Sequence, residues 1–264
     1  MDKNLLSQFS KLNSIRRKLN TVFLIVVFSS IALSVSAQKK YTLRINPEWK
    51  KKTTQKLSTV INLELNGKKI VTDLTMKFHM TNTAKKHKLY LFDVICTEIK
   101  LNANADGTTM SYDSKNPRSN ELSKQMHLTY GKLTNSVIKL SLNELGSVSR
   151  ITSREGADFP FDKTIYIVTE LPKQAIGIGE SWTSPGEKEQ SGVVTETKMT
   201  LTEVNEQGYK INVAGKIVLP DKKQVGYIRG FCVLDKKTCM TKIIELTSET
   251  TLLDRKLKTI TKYN

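Results

Sequence analysis

The chain has 264 residues, enough for one large or two small domains with a sizeable core. Its 42 lysines and arginines outnumber its 25 aspartates and glutamates, which gives a formal net charge of +17. The three cysteines and three histidines show no zinc-binding spacing, so the sequence excludes a zinc-stabilised fold.

Residues 1–37 have the composition of a secretory signal peptide. Five basic residues and a single acid, Asp2, precede an uncharged apolar stretch at 21–33. Small residues follow up to Ala37, so we expect cleavage after Ala37. The alternative is an uncleaved anchor, but the uncharged stretch is shorter than the roughly 20 apolar residues of a membrane-spanning helix.

The mature chain would keep a strong positive charge. Removal of residues 1–37 takes away five basic residues and one acidic residue and leaves a net charge of +13. Such a surplus attracts polyanions, and for an exported protein we expect lipid or another acidic envelope component rather than nucleic acid. The lysine pairs are scattered and fall mostly at predicted turns, where lysine also prevents sheet edges from pairing. No membrane span is expected after signal cleavage.

The clearest folding signal is a β-hairpin between Leu57 and Met80. Both arms alternate apolar and polar residues with period two, which is typical of half-buried strands. Asn66-Gly67 lies between the arms and favours a two-residue type I′ turn, because that turn needs positive φ at both positions. The turn predicts four cross-strand pairs: Leu63 with Ile70, Ile61 with Thr72, Thr59 with Leu74, and Leu57 with Met76.

A third strand is predicted at 88–101, with apolar residues on both faces. Its alternation places Ile99 and Leu101 on the opposite face from Cys96. Asp93 lies within this strand and is expected to pair with a lysine or arginine. Further strands are predicted at 126–130 and 137–143.

Two more hairpins and a closing strand are predicted from residue 191 onward. The second hairpin carries Cys232 and Cys239, and a turn centred between Asp235 and Lys236 would place these cysteines directly opposite each other. Directly opposed strand residues have Cα atoms about 5 Å apart, within the range of a disulfide. We therefore predict a possible Cys232–Cys239 disulfide, although a slip of one residue would remove the alignment. Cys96 would remain an unpaired, buried thiol.

Short strands separated by glycine and asparagine turns predict an all-β fold. We expect a large, curved antiparallel sheet that forms a sandwich, barrel or half-barrel, with no long helix after the signal peptide. The expected organisation is a signal peptide at 1–37, an N-terminal β-rich half at 38–156, a connecting segment at 157–190 and a C-terminal β-rich half at 191–264 packed with the first.

Gly177-Ile178-Gly179 invites comparison with phosphate-binding loops. A dinucleotide fingerprint needs a third glycine where this chain has Trp182, and a helix should follow it. The sequence instead favours a structural turn between the two halves. In that turn Pro172 stiffens the entry and Trp182 packs into the core.

Nothing else in the sequence indicates catalysis. The histidines His79, His87 and His127 have no partner pattern, and there is no G-x-S-x-G or H-E-x-x-H motif. We expect His79 on the outer face of its strand and His127 in a short strand. No enzymatic activity, cofactor or metal site is expected.

Two short motifs carry a resemblance to a known family. One is a clasp from Leu171-Pro172 through Ile178-Gly179-Glu180-Ser181-Trp182, and the other is a turn from Gly230 to Thr238 with Asp235. Together they resemble an uncharacterised exported β-rich protein family of Gram-negative Bacteroidetes, whose members usually have glycine where this chain has Cys239. The resemblance implies a β-rich protein that is periplasmic, outer-membrane-associated or extracellular. It implies no activity.

Two functions fit these features. The first is a non-enzymatic envelope protein whose curved sheet binds an apolar or amphipathic ligand such as a lipid, bordered by a lysine-rich rim. Methionine suits such adaptable apolar surfaces, although in a closed sandwich the same stripe would be ordinary core. The candidate residues are Leu57, Ile61, Leu63, Leu74, Met76 and Phe78. The alternative is a structural or protein-interaction module that uses its lysine-rich edges and has no small-molecule ligand.

Overall fold

A computed structural model describes residues 39–117, 120–153, 170–184, 194–221, 223–252 and 255–264. Residues 41–264 form one compact unit with its own hydrophobic core. The predicted signal peptide at 1–37 and much of the predicted connecting segment at 157–190 lie outside the described residues. Both therefore stay predictions, as does the division into two halves.

The described residues form β-strands, one α-helix and one short 3₁₀ helix. Helix α1 spans Glu121–Tyr130, and the 3₁₀ helix spans Gly131–Leu133. The strands are β1 (Lys40–Tyr41), β2 (Lys52–Leu65), β3 (Lys68–Lys86), β4 (Leu89–Ala105), β5 (Thr108–Asp113), β6 (Val137–Asn143), β7 (Val148–Ser153), β8 (Ile176–Gly177), β9 (Ser181–Ser184), β10 (Val194–Val204), β11 (Tyr209–Val218), β12 (Gln224–Leu234), β13 (Thr241–Leu252) and β14 (Arg255–Tyr263).

One antiparallel sheet of 12 strands dominates the fold. Its order is β7-β6-β4-β3-β2-β14-β13-β12-β11-β10-β9, and β5 also pairs with β4. The order is linear, so among the described strands the sheet has two free edges and does not close on itself. Strands β1 and β8 form a separate two-stranded sheet. The predicted all-β class with a large curved antiparallel sheet is confirmed.

The hairpin of β2 and β3 has the predicted register. All four predicted cross-strand pairs are present, from Leu63 with Ile70 at the turn to Leu57 with Met76. Asn66 and Gly67 have φ values of 50° and 75°, the positive values that a type I′ turn requires. Local turn chemistry and the period-two pattern therefore fix this register together.

Strand β4 differs from its prediction in the second half. The register of β3 against β4 skips Thr97, which forms a β-bulge. Because one extra residue reverses the alternation, Ile99 and Leu101 lie on the same face as Cys96. The predicted placement of Ile99 and Leu101 on the opposite face is therefore wrong.

The segment 126–130, predicted as a strand, belongs to helix α1. Asn120 caps this helix, because its side chain accepts a hydrogen bond from the Ser123 backbone N–H at 2.7 Å. The helix packs over β5, where the rings of Tyr112 and Tyr130 lie 5.9 Å apart. A short apolar run does not distinguish a strand from a buried helix, so the prediction was wrong. No helix in the described part of the chain is long and apolar enough to cross a membrane.

Residues 41–48, which we call the strap, connect two distant parts of the sheet. The Ile45 N–H donates to Glu144 O at 2.9 Å, in the turn between β6 and β7. The Asn46 N–H donates to Thr238 O at 2.7 Å, in the turn between β12 and β13. The strap also buries apolar side chains in the core. It therefore holds one end of the curved sheet together.

The hairpin of β12 and β13 does not oppose the two cysteines. Cys232 pairs with Ile244 instead. The loop runs from Asp235 to Met240, and the Asp235 N–H donates a hydrogen bond to Met240 O at 2.8 Å. Cys239 lies within that loop, so the predicted alignment with Cys232 is wrong. The loop is longer than the two-residue turn on which the prediction rested. All three cysteines are buried free thiols.

Candidate functional site

The inner face of the large sheet carries the candidate site. We define this face as the one that bears Leu57, Met76 and Tyr263, which are each buried in the core. The register along β3, β2 and β14 has no break. Every second residue along these three strands therefore points to the inner face.

The predicted apolar stripe lies entirely on the inner face, but its burial changes along the strands. Three residues are buried and three are half-buried: Leu57, Met76 and Phe78 are between 0% and 2% exposed, whereas Ile61, Leu63 and Leu74 remain partly open. The buried three lie towards the end of the sheet that the strap covers. They are ordinary core and are removed from the candidate ligand surface.

Neighbouring strands extend the half-buried part of the stripe. Leu63 pairs with Ile70 on one side and with Leu257 on the other, and Leu74 pairs with Leu101. Leu257 is 39% exposed. We call this surface the open half of the inner face; it comprises Ile61, Leu63, Ile70, Leu74, Leu101 and Leu257.

Small residues occupy the same face on the adjacent strands. Gly226 of β12 pairs with Thr250 of β13, while Gly230 and Ser248 lie further along these strands. Ile228 and Leu246 alternate with these residues on the same face, so small and large side chains are mixed there. Beside the open half, the inner face of β12 and β13 therefore carries apolar side chains interrupted by glycine, serine and threonine.

Sequence reasoning missed Leu101 and Leu257. The bulge at Thr97 moved Leu101 to the inner face, and no local signal marked that bulge. Leu257 alternates regularly with its neighbours, but its pairing with Leu63 joins strands far apart in the chain. Only the topology of the whole sheet reveals that contact.

Two basic residues border the open half at the rim near Asn66. Arg255 pairs with Leu65, and Leu65 pairs with Lys68 on its other side, so both cations share the inner-face alternation. The Lys68 Nζ lies 3.3 Å from an Asp106 carboxylate oxygen, and its side chain is 74% exposed. The apolar residues of the open half thus end at a basic rim, where an anionic group would lie next to positive charge.

The outer face carries a charged cluster around Glu98. Its carboxylate contacts the ammonium groups of Lys77, Lys115 and Lys100 at 2.9, 3.1 and 3.3 Å, and its side chain is only 5% exposed. The hydrogen bond from Lys77, followed by those from Lys115 and Lys100, lowers the pKa of Glu98 to about 2. The cluster keeps a buried carboxylate ionised and paired, which is a structural arrangement.

The glycine loop before β9 is a turn stabilised by its own side chain. The Glu180 carboxylate accepts a hydrogen bond from the Gly177 N–H at 2.9 Å, and the Glu180 N–H donates to Gly177 O at 3.1 Å. The Trp182 indole N–H donates to Glu170 O at 2.8 Å, and its ring packs against the core. The Gly177 N–H, which a bound phosphate would need, already donates its hydrogen bond to the Glu180 carboxylate. The geometry therefore supports the predicted turn.

Two of the histidines have single neutral partners. His79 Nδ1 and Thr54 Oγ1 lie 3.0 Å apart on the outer face, as expected for His79. His127 Nδ1 lies 3.0 Å from Tyr112 Oη, on helix α1 rather than in the predicted strand. The partner in each pair is a hydroxyl group, and neither pair includes a carboxylate that would orient the imidazole as a catalytic base.

The predicted cation partner of Asp93 is Lys139. Their carboxylate and ammonium groups lie 3.0 Å apart on adjacent strands, and the Asp93 side chain is 30% exposed. Within the described ranges, no group of three or more histidine, cysteine, aspartate and glutamate residues is arranged to hold a metal ion.

Comparisons with known proteins give no family. No family model matches the chain, and no curated protein matches it. Among solved structures, the chain is similar to lipovitellin, in a structure describing its lipid–protein interactions, with 8% identity and a TM-score of 0.48. The match covers 82% of this chain but only 25% of the lipovitellin chain.

A second similar structure is a DUF1329 family protein from Desulfovibrio piger. The two chains share 8% identity, with a TM-score of 0.27. The match covers 80% of this chain and 83% of the Desulfovibrio piger chain. These similarities are too low to carry a functional argument. The resemblance to an exported Bacteroidetes family also stays a prediction.

Proposed function

We propose that this chain is an exported, non-enzymatic cell-envelope protein that binds an amphipathic lipid on the open half of its inner face. One observation carries this proposal. The same face is filled core at the strap end, yet its apolar rows continue, half-exposed, towards the opposite rim.

The open half is suited to an acyl chain. Its side chains are aliphatic, and removing apolar surface from water contributes about 25 cal/mol per Å². Gly226 and Gly230 place no side chain on the inner face of β12. Sites for apolar ligands are mostly apolar and bordered by a few polar groups, and the open half has both features.

The rim is suited to an anionic head group. Arg255 and Lys68 flank the end of the apolar rows, and a guanidinium binds a carboxylate or phosphate through two parallel hydrogen bonds. A lipid bound with its tail towards the core would place its head group between these two cations. We therefore expect anionic lipids to bind more tightly than neutral ones.

The test for the tail site is the binding of a fluorescent fatty acid. We expect the double variant Leu63→Ser/Leu257→Ser to bind it at least about tenfold more weakly, because two large apolar contacts are lost. The matched control is Val71→Ser/Ile260→Ser, which changes half-buried residues of β3 and β14 on the outer face. Equal binding by both double variants, or no binding by the wild type, would overturn the proposal.

The test for the head group uses charge reversal. Lys68→Glu/Arg255→Glu should weaken fatty-acid binding, whereas Lys69→Glu/Lys256→Glu changes net charge equally but on the outer face. If both double variants weaken binding to the same extent, the rim has no specific role. If no lipid binds at all, the alternative of a structural or protein-interaction module with lysine-rich edges gains support. Salt-sensitive co-purification with the envelope would then be its test.

Export is part of the proposal. The basic, apolar and small-residue regions of 1–37 support cleavage after Ala37. N-terminal sequencing of the protein from its own cells should begin at Gln38. An intact N-terminus would instead support the uncleaved anchor.

A further inference from the structure

An exposed tryptophan lies at the end of the sheet opposite the basic rim. Trp49 is 70% exposed and lies shortly before β2, which begins at Lys52. We call residues 46–52 the tip. Tryptophan is highly buried on average, so an exposed tryptophan ring is an unusual feature of a protein surface.

The tip holds this ring on an ordered turn. Lys50 has a φ of 54°, and its backbone N–H donates to Asn82 O at 3.0 Å. The Asn82 side-chain amide in turn donates to Pro47 O at 3.3 Å. Because the turn is tied to β3 on both sides of Trp49, little conformational freedom remains to be lost when the ring binds a partner.

The tip and a neighbouring turn are rich in lysine, and the Lys50 Nζ lies 5.7 Å from the centre of the Trp49 ring. The tip itself contains Lys50, Lys51 and Lys52, all exposed. The adjacent turn between β12 and β13 adds Lys236 and Lys237, and the Lys237 Nζ lies 3.1 Å from a Glu48 carboxylate oxygen.

The acids of this region are already paired. The Glu48 carboxylate also contacts Lys51 at 3.0 Å, and the Asp235 carboxylate accepts hydrogen bonds from its own turn. Residues 46–52 and 235–238 together contain five lysines and two acidic residues, and both acidic residues are paired. The region around Trp49 has a net positive charge.

We propose that the tip docks the protein on the surface of an anionic lipid bilayer, with the Trp49 ring at the level of the head groups. Tryptophan favours this interface because its ring is apolar and its N–H is polar. Lysines beside it gain from the negative surface potential while their aliphatic stems cover apolar surface. A neutral or basic partner would gain less from this combination of ring and charge.

Docking through the tip leaves the open half of the inner face accessible. The tip and the Asn66 turn lie at opposite ends of β2, about 45 Å apart at the rise of an extended strand. The docked protein would present its basic rim away from the bilayer. This proposal does not depend on lipid binding by the inner face.

The test is co-sedimentation of the chain from Gln38, which retains the compact unit 41–264, with lipid vesicles. We expect binding to vesicles of phosphatidylcholine with phosphatidylglycerol, weak binding to phosphatidylcholine alone, and a blue shift of tryptophan emission on binding. Trp49→Ala should weaken binding about tenfold and abolish most of the shift. Leu128→Ala is the matched control, because Leu128 is 75% exposed on α1.

Charge and specificity are tested in the same assay. Lys50→Glu/Lys51→Glu should weaken binding on the order of tenfold, whereas Lys69→Glu/Lys256→Glu should change it little. Leu63→Ser/Leu257→Ser should bind vesicles normally, which separates docking from the tail site. Equal binding by Trp49→Ala and wild type, or capture by an acidic polysaccharide with no binding to vesicles, would overturn the proposal.

Discussion

Glu98 shows how a carboxylate can be buried in an otherwise exposed, basic sheet surface. Three lysines supply the charge that its ionised form needs, and their own side chains reach water. The Lys77, Lys115 and Lys100 hydrogen bonds outweigh the desolvation that opposes ionisation, so the pKa falls to about 2. The cluster joins β3, β4 and the residues after β5.

Glu98→Gln should therefore destabilise the protein in a pH-dependent way. At pH 7 we expect a loss of about 2 kcal/mol in the free energy of unfolding, because charged hydrogen bonds are replaced by weaker ones. The folded pKa is lower than the unfolded value, so this stabilisation is present above about pH 4.3 and is lost as the pH falls towards 2. Urea unfolding at a series of pH values measures the difference. Glu121→Gln, at an exposed pair with Lys124, is the control and should change little; a difference that does not vary with pH would contradict the account.

Cys239 occupies a position that favours glycine. Its φ is 51°, in the left-handed region, where the family that the sequence resembles usually has glycine. The turn nevertheless keeps its shape, because the Asp235 carboxylate accepts hydrogen bonds from the Lys237 and Thr238 backbone N–H groups and the Thr238 hydroxyl at 2.8 to 3.0 Å. Hydrogen bonds to the Asp235 carboxylate thus hold the turn in a conformation that glycine would adopt more easily than cysteine.

Replacing Cys239 separates backbone strain from the buried thiol. Cys239→Gly and Cys239→Ala both remove the thiol, but only glycine relieves the left-handed conformation. We expect Cys239→Gly to be more stable than Cys239→Ala by about 1 kcal/mol. Thermal or urea unfolding of the two variants measures this directly. Equal stabilities would mean that the turn is not strained.

At the scale of elements, glycine lets β12 approach β13 closely. A Cβ atom on Gly230 would lie 1.9 Å from Glu245 O, far inside contact distance. Gly67, in the turn between β2 and β3, has nothing within 4 Å of such an atom. Gly67 is therefore needed for its positive φ alone, whereas Gly230, with a φ of 153°, is needed for space as well.

Alanine at each glycine should reveal that difference. Gly67→Ala should cost about 1 kcal/mol, because only the positive φ opposes it. Gly230→Ala should cost more than about 3 kcal/mol, because the backbone of β13 must move. Chemical denaturation gives both values. Similar losses for the two variants would show that β12 accommodates a side chain at this position.

Local chemistry made some elements predictable and left others ambiguous. The Asn66-Gly67 turn and alternating arms specify the β2–β3 register because each confirms the other. The bulge at Thr97 has no comparable sequence signal. Helix α1 was missed although Asn120 is a typical N-cap, since its apolar run is too short to show a period.

At the scale of the molecule, the strap lies at the end of the sheet where the inner face is core. Leu43 of the strap is fully buried in the same cluster as Leu57 and Met76. Where the strap lies, the inner face is covered. Beyond the strap, the apolar residues of the inner face continue as the open half.

Leu43→Ala should therefore destabilise the whole unit. We expect a loss of about 2 to 5 kcal/mol, as for other large-to-small changes in a filled core. Thr42→Ala changes the exposed neighbouring residue and should alter stability by less than about 0.5 kcal/mol. Calorimetry or urea unfolding distinguishes them. A small effect of Leu43→Ala would show that the strap only covers a core that is stable without it.

The candidate site was predictable in part. The alternation of apolar and polar residues predicted that Ile61, Leu63 and Leu74 share one face of the sheet. In the structure they do share one face. The sequence could not show that Met76 shares a core with Leu43 of the strap or that Leu257 lies beside Leu63, because both arrangements join segments far apart in the chain. Long-range topology, rather than local pattern, separates core from candidate surface.

The most direct test of lipid binding is an NMR experiment on the labelled protein with a saturating fatty acid. Short-range nuclear Overhauser contacts between the acyl methylenes and protein methyl groups would locate the bound chain. The account predicts contacts to the methyls of Ile61, Leu63 and Leu257, and none to Val60 or Val71 on the outer face. Contacts spread over both faces, or confined to the outer one, would contradict it.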